Sequence, residues 1–377
     1  MIALYARSAS GEERSHFQFS IRRVRKARRA HHRVGTALPA FAHPTLLLVA
    51  ILFALAAPAA AQRRAPAAPV KIDVAARTID AFDPREPDAV RFGALEFRGG
   101  LELTSPYREF GGLSAIRVAA DGEHFVSLTD KGNWLTGRIA YDAHGRPSGV
   151  TDAVMAPMLG PDGRPLAAHG WYDTESIAQD DGTLYVGIER VNRIVRFDFG
   201  RAGVLARATP IPIPPGIAKL PNNKGLEAMV VVPKGLPLAG TLIAISERGL
   251  DAAGNLKAFL IGGPSQGEFS IRRSDDFDIS DCALLPAGDL LVLERKFSWW
   301  SGVAMRIRRV ALAAIAPGAL VDGVKLIFAD MGRQIDNMEG LSVHRAAQGD
   351  LILTLVSDDN FSALQRTILL QFKLVDE

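Results

Sequence analysis

A chain of 377 residues with 48% apolar side chains can bury a large core, and its single cysteine, Cys282, excludes an intramolecular disulfide framework. The net charge of +3 averages two unlike pieces. Residues 1–44 hold nine of the 44 bases and two of the 41 acids, so from residue 45 on there are 35 bases and 39 acids. That net of −4 gives no electrostatic ground for a nucleic-acid partner.

The first predicted element is a leader. Residues 45–58 (TLLLVAILFALAAP) form an uncharged apolar run, shorter than the roughly 20 residues of a spanning helix. Small residues follow, and Ala59-x-Ala61 is a signal-peptidase-type site with cleavage expected before Gln62. The expectation is a periplasmic or secreted protein with no membrane attachment after cleavage; a retained anchor is the alternative. The basic stretch ahead of the run is long for a leader, and an upstream start codon explains it equally well. Residues 62–92 read as a linker, Ala/Pro-rich at first, and a lead-in segment. Residues 93–377 read as one domain.

Within that domain a pattern returns. Gly111-Gly-Leu-Ser-Ala-Ile116, Glu175-Ser-Ile-Ala178, Glu227-Ala-Met-Val230, Asp281-Cys-Ala-Leu284 and Glu339-Gly-Leu-Ser342 start 64, 52, 54 and 58 residues apart. Each continues through a turn into a second apolar run ending in an acid. In the second repeat, Asp180-Asp-Gly182 leads to Thr183-Leu-Tyr-Val-Gly-Ile-Glu189. Alternating apolar residues around an Asp-Gly turn predict a hairpin, and a period of this size predicts a repeat array. The 35 glycines suit many short strands joined by tight turns.

The expected fold is therefore an all-β propeller of five or six blades, with residues 135–170 or 300–335 as the places for a sixth. The ring closes by pairing an early strand around residues 95–103 with the last one, residues 367–374. A stacked solenoid is the alternative, since a period does not fix closure.

In an antiparallel hairpin the start of the first strand and the end of the second share one end. Glu175 should then lie near Glu189, Asp281 near Glu294 and Glu339 near Asp358, gathering about nine carboxylates at one mouth of a central channel. Crowded carboxylates need cations. One solution is internal, because bases follow most of the second-strand acids: Lys131, Arg190, Arg248, and Arg295 with Lys296.

The other solution is Ca²⁺, which takes six to eight oxygen ligands. Asp130, Glu189, Glu247, Asp281, Glu294, Asp358, Asp359 and Asn360 are its candidate ligands, with Glu175, Glu227 and Glu339 orienting a water or ligating as well. Lys131, Arg190, Arg248, Arg295 and Lys296 are candidate phosphate clamps, arginine matching phosphate in a fork. Metal, carboxylate and cation together are what metal-assisted attack of water on a phosphoester requires. No GxSxG elbow or P-loop occurs.

Several motifs in order resemble the phytase-like family, known as the esterase-like activity of phytase. They are Gly111-Gly-Leu-Ser with Asp130-Lys-Gly132, Asp173-Thr-Glu-Ser-Ile-Ala178 with Glu189-Arg190, and Asn223-Lys-Gly-Leu-Glu-Ala228 with Ser246-Glu-Arg248. Leu293-Glu-Arg-Lys-Phe297, Asn337-Met-Glu-Gly-Leu-Ser342 and Val356-Ser-Asp-Asp-Asn-Phe361 follow, so the resemblance spans residues 95–375. It implies a repeated domain whose Glu and Asp residues carry a phytase- or phosphodiesterase-like activity. The expected function is thus an exported, Ca²⁺-dependent phosphoester hydrolase acting on a small phosphorylated substrate. The alternative is a non-catalytic propeller that binds a ligand or partner.

Overall fold

The computed structural model describes residues 68–375; the expected leader and its cleavage site lie outside them. No helix among the described residues is long and apolar enough to cross a membrane.

Five antiparallel sheets form five blades. The first runs from the inside outward through Leu113–Val118, His124–Thr129, Asn133–Tyr141 and Pro147–Pro157, with Val70–Lys71 on its edge. The second uses Thr174–Asp180, Thr183–Ile188, Arg193–Asp198 and Thr209–Pro210. The third uses Leu226–Val231, Leu242–Leu250, Leu256–Ile261 and Gly267–Ile271, extended by Leu320–Val321 running parallel. The fourth uses Asp278–Leu284, Leu290–Ser298, Gly302–Val310 and Val324–Asp330.

The fifth blade draws on both chain ends: Asn337–Arg345, Leu351–Asp358 and Thr367–Leu374, then Leu95–Thr104 and Ala75–Ile79. The expected closure is present, with Leu369 opposite Leu101 and Leu374 opposite Leu95. The segments considered for a sixth blade are instead outer strands and connections of the first and fourth blades, with Leu320–Val321 added to the third. Part of the expected lead-in segment is also sheet, since Ala75–Ile79 pairs with the closing strand.

The innermost strands pack on one another in blade order and the fifth packs on the first, so the array is a closed propeller. Five apolar clusters fill the five wedges between blades. Leu291 and Leu293 face the fifth blade while Leu290 and Val292 face the third. Strands covered on both faces read as unbroken apolar runs, which is why Leu290-Leu-Val-Leu shows no polar alternation.

Every innermost strand carries an irregularity at the same place. Pairing with the second strand shifts register between Leu113 and Ala115, Leu226 and Ala228, Ile279 and Asp281, Met338 and Gly340, and in the second blade between Gly187 and Ile188. The skipped residues are Ser114, Glu227, Ser280, Glu339 and Glu175. A bulge leaves one residue outside the ladder and re-aims its side chain. Five bulges at equivalent positions therefore make a ring of five side chains at one mouth.

Candidate functional site

The deeper ring is that set of bulged residues, three glutamates and two serines. A second ring sits at the ends of the second strands. Thr129, Ile188, Ser246, Glu294 and Ser357 pair with the residue just before each bulge. The residues that follow them are Asp130, Glu189, Glu247, Arg295 and Asp358. The loops that enter the innermost strands add Asp173, Asn223 and Lys224, and the last turn adds Asn360. These groups line a cavity of about 340 Å³ that also holds Glu175, Glu227 and Glu339. Eight carboxylates thus face two cations, Lys224 and Arg295.

The cations are already engaged. Arg295 Nη1 lies 2.8 Å from Glu339 Oε1 and donates to Asn337 Oδ1 at 2.9 Å, while Nη2 donates to Glu247 Oε1 at 3.3 Å. Lys224 Nζ donates to Glu247 Oε2 at 3.3 Å. Burial disfavours the Arg295 charge, but Glu339, Glu227 and Glu247 outweigh it and hold the guanidinium protonated. Glu189 Oε1 accepts the Gly225 N–H at 2.5 Å. Asp130 Oδ1 is buried with no hydrogen-bond partner.

Two cations do not neutralise eight acids, and the proton affinities show it. Burial first, then Glu339 and Glu189, push the Glu175 carboxyl well above its ordinary range, with the Ser114 hydroxyl pulling back. Burial and then Glu175 do the same to Glu227. Glu189 is pushed up to about 7 by burial, against the Gly225 N–H, and Asp358 to about 8 by burial and Glu339. Burial raises Asp130 to about 6, with Lys131 drawing it back. Glu339 is raised by burial and restrained by Arg295.

One oxygen each from Glu189, Glu227 and Glu247 lie within 4.8 Å of one another. A hard cation with oxygen bonds of about 2.4 Å holds opposite ligands roughly 5 Å apart, so these three fit Ca²⁺ in spacing and donor type.

Asp130, Glu189, Glu247, Asp358 and Asn360 from the expected ligands, and Glu175, Glu227 and Glu339 from the expected water-orienting acids, all meet in the cavity. Three expected ligands do not. Asp281 lies one residue past the bulge, so it turns away from the cavity and is fully buried against Arg117. Glu294 faces outward and is fully buried between Arg306 (Nε 2.6 Å) and Arg308 (Nη2 2.6 Å). Asp359 accepts from the Gly112 and Phe361 N–H groups and from the Thr367 hydroxyl, tying the last blade to the first.

Of the expected phosphate clamps only Arg295 lines the cavity. The other four follow a cavity residue and so point the opposite way. Lys131 Nζ sits 2.9 Å from the centre of the Phe361 ring, and Arg190 stacks at 5.3 Å on Tyr172. Arg248 Nε donates to Asp278 at 2.9 Å, and Lys296 Nζ to the Asp275 carbonyl at 2.8 Å. Gly111 is likewise not the first blade's counterpart of the acids; Ser114 is. Gly112 has φ 62°, and a Cβ there would lie 2.5 Å from Asp130 Oδ1. Lys224, Asp173 and Asn223 are additions from the loops; Asp173 and Asn223 hold φ of 56° and 59°, a backbone conformation these short polar side chains tolerate.

Below the rings the channel is closed by Arg117, from the first innermost strand. Its guanidinium donates to backbone carbonyls of all five: Ile116 at 2.6 Å, Ile177, Met229 at 3.1 Å, Cys282 at 3.3 Å and Leu341 at 2.9 Å. Each carbonyl lies two residues past its bulge. Asp281 completes the set with a bidentate pair at 2.8 and 3.0 Å. Asp281 in turn accepts the Cys282 and Leu341 N–H groups. Sequence reasoning missed this arginine, which has no equivalent in the other repeats.

A closed five-bladed propeller with a blind, acid-lined mouth is the class these features define. The phytase-like family model, described as esterase-like activity of phytase, matches residues 108–361, and the chain belongs to that family. A search of curated proteins gives no match. Among solved structures, the chain is similar to the α-L-arabinofuranosidase of Podospora anserina in complex with cellotriose, at 12% identity and TM-score 0.43, over 72% of this chain and 94% of that one. It is also similar to the PQQ-bound aldose sugar dehydrogenase of Streptomyces coelicolor, at 13% identity and TM-score 0.38, over 81% and 99%.

Proposed function

We propose that the protein is an exported, Ca²⁺-dependent phosphoester hydrolase acting in the acid-lined mouth. The observation that carries this reading is the imbalance of eight carboxylates against two cations in one cavity, with three carboxylates at cation spacing. Membership of the phytase-like family supports the substrate class. Glu189, Glu227 and Glu247 would hold the cation. A bound Ca²⁺ supplies Lewis-acid polarisation of a phosphoryl oxygen and neutralises part of the cavity charge.

The chain's own residues do the rest. Arg295, held at the cavity wall by Glu339, Asn337 and Glu247, would have to turn part of its guanidinium from Glu247 to the phosphoryl oxygens as the cation takes up that carboxylate, and Lys224 would add a point charge at the rim. Burial favours the protonated forms of Glu175 and Asp358, so one of the two would give its proton to the leaving oxygen while the other, when ionised, would take the proton of the attacking water. Glu339, paired with Arg295, keeps that fork oriented. Arg117 closes the floor, so water reaches the site from one side only.

The test is hydrolysis of a phosphomonoester, a phosphodiester, phytate and a carboxylic ester, each with Ca²⁺ and with chelator. Turnover that requires Ca²⁺ and falls in Glu227→Gln supports the reading, and the preferred substrate names the reaction. Folded, Ca²⁺-loaded protein that turns over none of the four would refute it in favour of a binding propeller.

A further inference from the structure

The fourth blade stands taller over the mouth than the first. In the first blade the chain turns at once after the ring residue, the second strand ending at Thr129 and the third starting at Asn133. In the fourth, the hairpin stays paired from Arg295 opposite Met305 up to Ser298 opposite Gly302. Alternate residues of a strand share a face, so the face that aims Arg295 into the cavity next carries Phe297, and Trp299, in the turn just past the strand, packs its ring on Phe297. Lys296 points the other way, to the Asp275 carbonyl. In the third blade, whose hairpin also extends beyond its ring residue Glu247, the position matching Phe297 is Gly249.

Phe297 is 62% exposed and Trp299 90% exposed. Their rings meet edge to face, with centroids 5.3 Å apart, and leave flat apolar surface open to solvent. At about 3.3 Å per residue, Phe297 lies roughly 7 Å beyond Arg295 along the strand. A ligand whose anionic head meets Arg295 must leave the cavity past this aromatic wall if its body rises along the fourth blade.

We propose that Phe297 and Trp299 form a ring-binding subsite continuous with the acid cavity, and that the preferred substrate is a phosphate ester whose organic group carries an aromatic ring within a bond or two of the ester oxygen. The inference rests on the hydrolase reading for its head group. It goes further in fixing the class of the organic group. Stacking on the open faces supplies affinity that a short alkyl group cannot match. A lipid surface is the competing occupant of exposed tryptophans. Trp299 and Trp300 are both open to solvent, at 90% and 99% exposed, and what favours a ring-bearing ligand is that Phe297 shares the strand face of Arg295 while Trp299 packs on Phe297.

Phenylphosphonate and methylphosphonate share a head group and resist hydrolysis, so calorimetric titration of the Ca²⁺-loaded protein reads the subsite without turnover. Phenylphosphonate should bind about tenfold more tightly, an advantage worth ~1.4 kcal/mol. Phe297→Ala and Trp299→Ala should each remove most of that ratio, and Trp300→Ala should keep it. All three side chains are exposed, so the truncations leave the fold in place. Equal affinities in the wild type, no binding of either probe, or a ratio that survives both truncations overturns the proposal. A loss in Trp300→Ala as large as in Trp299→Ala, together with lost binding to phosphatidylcholine vesicles, assigns the hairpin to lipid instead. A wild type that prefers phenylphosphonate yet hydrolyses no phosphate ester ends the hydrolase reading and leaves the ring subsite standing.

Discussion

Arg117→Met keeps much of the side chain's length and deletes the charge at the centre of the propeller. The Asp281 carboxylate, fully buried, would then retain only the Cys282 and Leu341 N–H groups, at 2.7 and 2.8 Å. Breaking a buried ion pair from one side costs about 3–5 kcal/mol, because the charge left behind has neither water nor a counter-ion. Five backbone carbonyls also lose their shared donor. Against a total domain stability of about 5–15 kcal/mol, that is a large fraction.

At about 2 °C per kcal/mol, the lower end of the range and suited to a large domain, the melting temperature should fall by roughly 6–10 °C. Thermal denaturation followed by circular dichroism reads the shift. Adding Asp281→Asn to Arg117→Met removes the stranded charge and should restore about half of the loss. The reasoning fails if Arg117→Met melts within about 2 °C of the wild type. It fails equally if the double variant melts no higher than the single one.

The acid cavity gives a pH dependence with a definite sign. Asp130, Glu189 and Asp358 have folded-state values raised to about 6, 7 and 8, so the cation-free folded protein holds more protons than the unfolded chain in that window. Its stability should be fullest near or below about pH 4 and be lost as pH climbs through about 6–8, while Ca²⁺ should flatten the slope and raise the melting temperature most at the alkaline end. A flat cation-free profile between about pH 5 and 8 would count against the cluster. Glu227→Gln relieves repulsion, so melting without Ca²⁺ should rise while Ca²⁺ affinity, read by calorimetry, drops roughly tenfold or more. Glu294→Gln removes the buried carboxylate shared by Arg306 and Arg308, leaves them only the exposed Asp275 and Asp322 as counter-ions, and should destabilise by about 3 kcal/mol, yet leave Ca²⁺ affinity unchanged because Glu294 does not line the cavity.

The hairpins, the period and the closing strand were legible because burial on both faces forces long apolar runs and Asp-Gly turns mark their junctions. The mouth was legible only to within one residue. Matching repeats by residue type set Asp281 beside Glu227 and Glu294 beside Glu247, whereas backbone pairing sets Ser280 and Arg295 there. A bulge shifts the side-chain period by one, and a shift of one reverses the face of everything beyond it. The same reversal carries Lys131, Arg190, Arg248 and Lys296 out of the cavity. Lys224 enters from the loop ahead of the third innermost strand, and Arg117 acts from a single repeat. Repetition, the signal that revealed the fold, is blind to both.

The fifth blade joins the chain's first long strand, Leu95–Thr104, to its last, Thr367–Leu374, and also supplies Glu339 and Asp358 to the cavity. Contacts between such distant segments form late, since the intervening chain must be ordered first. A chain shortened at its C-terminus would lose the partner of two strands at once and leave the ring open, whatever the quality of its other four blades. The acid mouth, and any cation it concentrates, is therefore a property of finished molecules: cation binding doubles as a readout of completed folding.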